Sequence, residues 1–263
     1  MMNKLVYRIA GLLIGVAACS HAAMALDINV VHSGSWPPYA DENLPGHGLA
    51  IELVTTALKR TGYSPQVKTA SLTQILEGSK TGVYDVFATP WYTMDRAKYL
   101  DFSQPYLESS INFIKRTDTS FEYTRFDDLE GMTVGVIEKY AYDEDFSDST
   151  AIEKISASSL TENLRKLVEK EVDLSLDDEL VLRYTLHRTM PRSMATLEIL
   201  AKPLAVRGVN IGVSRKNPDH AKIVANFNKA IAEMKADGSY DSIVQKHKDY
   251  IEHPMEKPGQ TNE

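Results

Sequence analysis

What the chain lacks narrows its chemistry. Its 263 residues include one cysteine, Cys19, so no intramolecular disulfide can form. There is no His-Glu-x-x-His, no Gly-x-Ser-x-Gly and no glycine-rich phosphate loop. Those are the patterns that hold a zinc ion, a nucleophilic serine or a nucleotide phosphate. Gly46-His47-Gly48 has neither the third glycine nor the preceding strand of a dinucleotide site and reads as a helix entry. His32, His47, His187, His220, His247 and His253 are scattered without metal-ligand spacing, so neither a metal nor a cofactor is expected. Positive charge is also in short supply, with 29 lysines and arginines against 36 acidic residues and a net charge of −7. That balance argues against nucleic acid or an anionic membrane surface as a partner. After residue 25 no apolar run is long enough to cross a bilayer.

The first 25 residues differ from the rest. Lys4 and Arg8 precede the apolar run Ile9–Ala18, and Ala23-Met24-Ala25 offers small residues at the spacing a signal peptidase requires. Residues 1–25 read as a secretory signal peptide cut after Ala25. Val16-Ala17-Ala18-Cys19 also resembles a lipoprotein box, which would make an acylated Cys19 the mature N-terminus. The cut after Ala25 is preferred because the first strand begins almost at once behind it. Removing Lys4 and Arg8 from the 29 basic residues leaves 27 against 36 acidic ones, a net charge of −9.

At 43% hydrophobic and 25% charged the chain is an ordinary globular one, long enough for one large or two modest domains. Ile28–His32 reads as a buried strand, and Ser33–Tyr39, with Pro37 and Pro38, as a rigid loop holding two rings. A helix over Leu49–Arg60 closed by Gly62, a weak strand at Gln66–Lys68, a helix at Leu72–Ser79 and a strand at Tyr84–Ala88 follow. Such a β-α-β-α-β run implies a mostly parallel sheet with helices on its faces. Ile111–Ile114, Thr133–Ile137, Val172–Leu176, Leu197–Leu200 and Val209–Val213 read as further strands. Helices are expected at Leu160–Lys170, from Asp177-Asp178-Glu179 to Arg188, from Pro218 to Lys235, and in a last stretch ending near Ile251. The tail 253–263 reads as loose. Asp143–Asp148 is acidic but lacks the glycine and terminal glutamate of a calcium loop, so it reads as a solvated face. No repeat or low-complexity linker divides the chain, so two lobes would have to be joined by strands that cross between them.

The densest signal is Trp91–Tyr106. Thr93 has the chemistry of an N-cap, and the residues after it favour a short helix. A capping box would place Glu or Gln three positions on, but Arg96 stands there, opposing the helix macrodipole at a cost of roughly 0.3–1 kcal/mol. What that placement offers is an anion site, with guanidinium donors beside free backbone N–H groups. A surface arginine paired with Asp95 or Asp101 is the other reading, and spacing alone leaves both open. Ligands of α/β sheets sit beyond the carboxyl ends of the strands. Trp36, Thr89-Pro90-Trp91, Tyr140 and Asp177/Asp178 all fall at such ends.

Thr93-x-x-Arg96 followed by Phe102-Ser103-x-Pro105-Tyr106 resembles the signature of the family-3 bacterial extracellular solute-binding proteins, the amino-acid receptors of ABC importers. The similarity extends over essentially the whole chain after residue 25. The resemblance implies an α/β, two-lobed type II periplasmic-binding fold. Lobe 1 would comprise residues 26–110 plus 212–252 and lobe 2 residues 111–211, with crossover strands near Tyr106–Ser110 and Gly208–Gly212. It implies that Arg96 clamps the ligand α-carboxylate, that Asp178 receives the α-ammonium with Asp177 as its neighbour, and that Trp36 stacks on the ligand. Thr89, Trp91, Tyr140 and Tyr39 would complete the cleft. Read without the resemblance, Asp178 is equally a helix N-cap and Trp36 equally a packing residue.

Two positions depart from the family pattern. Family members carry Gly-x-Thr before the Thr-x-x-Arg motif, where this chain has Thr89-Pro90-Trp91, and Gly-Thr-Thr in lobe 2, where it has Lys139-Tyr140-Ala141 and then Tyr142. Pro90 cannot donate an N–H and Trp91 fills space, so the cleft is expected to be richer in rings (Trp36, Tyr39, Trp91, Tyr92, Tyr140, Tyr142) and to suit a bulkier, flatter or more cationic ligand. The reading that results is a monomeric periplasmic receptor, not an enzyme, that delivers an amino acid or related zwitterion to an ABC permease. The alternatives are a periplasmic enzyme similar to cyclohexadienyl dehydratases, with Asp177 or Glu138 as general acid, and an orphan receptor that signals to a membrane sensor.

Overall fold

The computed structural model describes residues 25–252 apart from Ser35, Lys139 and Ala141. The expectations for the signal segment, for Cys19 and for the tail from His253 fall outside the described residues. Among the described residues no helix is long and apolar enough to cross a membrane.

The chain builds one sheet, leaves it to build a second, and returns. β1 (Leu26–Ser33) is followed by α1 (Leu49–Arg60), which buries Leu49, Leu53 and Ala57 with Val54 and Leu58, neighbours at helical spacing. Gly62, at φ +86°, ends that helix as the sequence leads one to expect. β2 (Tyr63–Ala70) lies parallel to β1 along its whole length. α2 (Leu72–Thr81), opened by a capping box between Ser71 and Gln74, leads to β3 (Val86–Phe87) on the other side of β1. The short α3 (Met94–Ala97) and β4 (Leu100–Phe102) follow. β5 (Leu107–Arg116) then opens the second sheet, with β6 (Thr133–Ile137), α4 (Glu144–Asp148), β7 (Glu153–Ala157), α5 (Leu160–Val168), β8 (Leu174–Asp178), α6 (Glu179–Tyr184) and β9 (Leu197–Val209). β10 (Gly212–Ser214) rejoins the first sheet, and α7 (His220–Ala236) and α8 (Ser239–Glu252) end the fold.

The strand orders are β2-β1-β3-β10-β4 and β7-β6-β8-β5-β9. Each sheet is parallel where β-α-β units build it. The strands contributed by the crossing segments run the other way: β10 is antiparallel to β3 and β4, and β5 is antiparallel to β8 and β9. Both sheets are therefore mixed, and the parallel order expected from the first five elements holds only for that part. β9 also differs from the two short strands expected. It runs unbroken for 13 residues because β5 pairs with it from Leu107↔Val209 to Arg116↔Leu197. Pro203, which lacks an N–H, is accommodated on this edge strand opposite Asn112, where the register shifts. The helix expected to reach Arg188 is α-helical only to Tyr184 and continues as a π-helical turn, Thr185–Thr189.

The two crossings are fastened to each other by the second half of the signature motif. Ser103 exchanges hydrogen bonds with the Ile211 backbone, and Asn210 Nδ2 donates to Ser103 O at 2.7 Å. The Tyr106 N–H donates to Val209 O, and its hydroxyl donates to Ala88 O at 2.9 Å. Pro105 packs so closely on Gly208 that a Cβ there would lie 2.6 Å from its ring. Away from these strands, Arg188 Nη2 donates to the Tyr250 hydroxyl on α8 at 2.7 Å, with its guanidinium 4.6 Å from that ring centroid.

The ring-bearing loop after β1 is seated by the start of α1. The Trp36 N–H donates to Ala40 O and the Tyr39 N–H to Trp36 O, and the Pro37–Pro38 peptide bond is cis. No side chain caps α1; instead Pro38 O and Tyr39 O accept from the N–H groups of Leu49 and Ala50, both at 2.9 Å. Only glycine permits this, because Gly48 sits at φ +100° and a Cβ on it would lie 2.6 Å from Tyr39 O and 2.8 Å from Pro38 O. Gly48→Ala should therefore destabilise the fold by roughly 1–3 kcal/mol in urea titration and alter the tryptophan fluorescence through Trp36. A variant as stable as wild type, with unchanged fluorescence, would show that the loop does not depend on this junction.

Candidate functional site

The carboxyl ends of β1, β3, β6 and β8 face one another across the gap between the two sheets. Thr93 caps α3 as expected, its hydroxyl accepting from the Arg96 N–H at 3.2 Å. That cap sets Arg96 pointing back along the chain, where Nη1 donates to Trp91 O at 2.9 Å. Neither acid that could have neutralised it does so. Asp95 pairs with Lys98 at 2.6 Å, and Asp101 pairs with His220 at 2.8 Å and with Arg215 at 3.7 Å. Among the described residues no carboxylate lies within ion-pair distance of Arg96. Burial holds its guanidinium below the usual arginine range, the charge of Arg207 adds to that, and Tyr99 opposes it. With Ser33, Trp36, Leu72, Phe87, Thr89, Trp91 and Tyr140 it lines a pocket of about 60 Å³.

That pocket shares Ser33, Trp36, Leu72 and Tyr140 with a cavity of about 630 Å³, whose second-sheet wall includes Glu138, Ser158, Asp177 and Tyr184. The smaller space is too tight for an amino acid, and the larger one is within the range of small-molecule sites. Asp177 and Asp178 are both 1% exposed, at the end of β8. The strand runs two residues further than expected and carries both acids, so the pleat turns them to opposite faces. Asp178 Oδ1 accepts from the N–H groups of Leu180 and Val181 at 2.8 and 3.2 Å, the cap of α6. Asp178 lines neither the pocket nor the cavity. Burial nevertheless pushes its carboxyl up to about 6, against the Ser109 and Tyr39 hydroxyls and the helix N–H groups.

Asp177 faces the cavity. Its Oδ1 accepts from the Asp178 N–H at 2.7 Å, while its Oδ2 is buried without a hydrogen-bond partner among the described residues. Burial pushes its carboxyl up to about 8; the Asp178 N–H works against the rise and the Asp178 charge with it. The Trp36 indole approaches and lowers it a little, but Trp36 Nε1 too makes no well-formed bond. Trp91 Nε1 is buried and unpartnered in the same region, and Ser109 Oγ, though it lies near enough to Asp178 to lower its carboxyl, makes no well-formed bond. Orphaned polar atoms of this kind are rare in folded proteins and concentrate at functional sites.

Rings fill the space between the two charged ends. Tyr39 stacks on Trp36 at 4.4 Å, Trp36 meets Trp91 edge-on at 5.9 Å, and Trp91 meets Tyr140 edge-on at 5.7 Å. Tyr140 continues to Tyr142 at 5.8 Å. Of the rings expected in the cleft, Tyr39 is 1% exposed and supports Trp36 from behind. Tyr142 is buried, with its hydroxyl accepting from the Ile137 N–H. Tyr92 turns away, 53% exposed and packed edge-on to Phe102. The structure thus brings Arg96, Trp36, Thr89, Trp91, Tyr140 and Asp177 to connected spaces, and leaves Asp178 and Tyr39 behind the wall. Sequence reading missed Arg207, whose guanidinium lies 5.5 Å from the Trp91 ring and donates to Tyr142 O at 3.0 Å. Its only sequence signal is a cation beside Gly208, in a strand that also carries Glu198 and Lys202. Among the described residues no three histidine, cysteine or acidic side chains converge as metal ligands.

Comparison with known proteins agrees with this architecture. The family model for bacterial extracellular solute-binding proteins, family 3, matches residues 28–249. The chain is 25% identical to the ABC transporter arginine-binding protein 1 of Escherichia coli K12, over 92% of this chain and 97% of that protein. Its fold is similar to that of an ancestral arginine-binding protein bound to arginine, with a TM-score of 0.70 and 24% identity over 85% of this chain and 98% of the other. It is also similar in fold to a histidine kinase sensor domain described as resembling periplasmic binding proteins, with a TM-score of 0.72 and 20% identity over 85% and 96% of the two chains. The chain belongs to the family-3 bacterial extracellular solute-binding proteins.

Proposed function

We propose that this protein is a periplasmic receptor that captures a small polar zwitterion, an amino acid first of all, in the cleft between two lobes and delivers it to an ABC permease. It acts as a monomer without a cofactor, with lobe 1 formed by residues 26–110 and 212–252 and lobe 2 by residues 111–211. The observation that carries this reading is a half-buried guanidinium, Arg96, with no carboxylate partner among the described residues, in a pocket that shares four lining residues with a cavity whose wall includes a buried acid, Asp177. Arg96 holds the ligand carboxylate by a two-pronged contact, the geometry for which a planar guanidinium is suited. The acids at the end of β8 hold the ammonium group, and Trp36, Trp91 and Tyr140 close on the part between. Because the two charged ends are held from opposite lobes, the ligand itself favours the closed form. The relatives named for arginine make L-arginine the first probe.

A thermal-shift screen of the mature protein against amino acids, polyamines, dicarboxylates, short peptides and aromatic acids tests the ligand class. A ligand at a hundred times its dissociation constant adds about 2.7 kcal/mol, which at roughly 2–4 °C per kcal/mol is readily seen. An α-amino acid should produce that shift, and Arg96→Ala should abolish it while leaving the protein folded. Unchanged affinity in Arg96→Ala removes the carboxylate clamp from the proposal.

One observation favours a second reading. Asp177 is a carboxyl pushed up to about 8 in a ring-lined cleft, the property required of a general acid. A periplasmic enzyme similar to cyclohexadienyl dehydratases would use it on an aromatic-precursor acid. Incubation with prephenate or arogenate decides: product lost in Asp177→Asn supports the enzyme, and its absence in wild type dismisses it.

A further inference from the structure

Among the described residues no lysine or arginine is a partner of the buried carboxylate oxygen of Asp177. The groups around it are Asp178 on its own strand, Tyr39 and Trp36 from the loop after β1, and Tyr140 and Tyr142 from the segment after β6. Farther along the cavity wall stand Asp41, Glu138 and Tyr184, and among the described residues the lining of the cavity includes no lysine or arginine. Arg96 lines the adjoining pocket, which shares Trp36 and Tyr140 with the cavity, but is not among the described residues that line the cavity itself. Among the described residues a charged carboxylate so placed has one backbone N–H on Oδ1 and no partner on Oδ2, and the neighbours named above carry negative charge or none. A group in that position adopts its neutral form rather than bear the desolvation cost of the ion. Asp178 is adjacent in sequence but is supplied by the α6 helix N–H groups and is turned away from the cavity, so the two acids are not equivalent.

We infer that ligand capture in this cleft is an exchange of a cation for a proton at Asp177: the empty protein carries a proton on Oδ2, and the cationic group of the ligand takes its place as the proton leaves to solvent. The inference rests on the receptor reading and names which of the two β8 acids holds the cation. The exchange balances, since a neutral carboxylic acid and an ammonium or guanidinium ion give an ion pair and one released proton. No covalent bond to the ligand forms. Burial and the charge of Asp178 hold the Asp177 carboxyl near 8, so below that pH each unit of acidity makes the proton a stronger competitor. Above it the competition ends.

Two measurements test this, one with ligand and one without. In calorimetry with L-arginine, run in two buffers of different ionisation heat, the wild type should release close to one proton per ligand at pH 6.5. Its affinity should rise about tenfold per pH unit up to pH 7.5 and level off above pH 8. Asp177→Asn should bind more weakly, release no proton and show no such slope. A wild type whose affinity is flat in pH and whose binding moves no proton overturns the inference.

The ligand-free test compares the melting temperatures of wild type and Asp177→Asn from pH 5 to pH 9. In the unfolded chain Asp177 loses its proton near pH 4 and in the folded chain near 8, so raising the pH between those values favours unfolding; the raised carboxyl of Asp178 acts the same way in both proteins, so the difference between them reports Asp177. The melting temperature of the variant relative to wild type should rise by several degrees from pH 5 to pH 8 and level off above it. A difference that does not change with pH overturns the inference whether or not any amino acid binds. A gap that opens with pH in a protein that ignores L-arginine keeps the proton on Asp177 and instead sinks arginine as the ligand.

Discussion

Taking a carboxylate out of water costs several kcal/mol unless cations or N–H groups replace the lost hydration, and the end of β8 buries two in succession. The fold treats them differently. Asp178 falls at the first turn of α6, where two N–H groups and the helix dipole favour negative charge. Asp177 falls one residue earlier, on the other face of the strand, and receives a single N–H from its neighbour. The pleat of one strand and the start of one helix thus decide which acid is structural and which is left open towards the cavity. Asp177 also bears on the rings around it, since its charge and burial together push the Tyr140 and Tyr142 hydroxyls above the ordinary phenol range. Those tyrosines therefore stay neutral, as walls of the cleft.

The same segment forms the seam between lobes. Tyr39, Trp36 and Trp91 come from the first-sheet side and Tyr140 and Tyr142 from the second, and the only edge contact that crosses within this series is Trp91 on Tyr140. Contacts of this sort are worth about 0.5–1.5 kcal/mol beyond their burial. The Arg188–Tyr250 pair adds a second, more polar tie between the layers. A ligand entering between Trp91 and Tyr140 replaces ring contacts with its own, and only the difference shifts the lobes. On the proposed receptor reading, closure would therefore be governed by the charged ends of a ligand more than by the rings it displaces.

Much of this was legible wherever the signal was local. The helical spacing of Leu49–Arg60, the cap at Thr93 and the stop at Gly62 depend on a few neighbours and appear where the sequence put them. The anion-site reading of Arg96 was open, because the partners of Asp95 and Asp101 are Lys98, His220 and Arg215, two of them more than a hundred residues away. β9 was hidden because its length comes from pairing with β5, with Pro203 opposite Asn112 at a register shift. The choice between Asp177 and Asp178 turned on where β8 stops, because only as residues of the strand do the two neighbouring side chains alternate between its faces. Arg207 carried no motif at all. Its role beside Trp91 exists only once β9 has passed between the lobes.

The departure at Thr89-Pro90-Trp91 follows from that seam. Pro90 O accepts from the Asn210 N–H, and the Pro90 ring lies 3.2 Å from where a Cβ on Gly212 would be. Trp91 forms a bridge with Val209. Residues that could have offered neutral hydrogen-bond donors to a ligand are thus occupied in joining β3 to the returning strand. What this side of the cleft retains is one strong charge, Arg96, with the hydroxyls of Ser33 and Thr89 and the faces of rings. A pocket of that composition distinguishes ligands that differ by a methylene by only about 1–3 kcal/mol. Placing a ligand's charges the wrong way round would instead strand a buried charge, at about 3–5 kcal/mol. Selectivity in such a cleft is set by the order and spacing of a ligand's charges, and its side chain comes second.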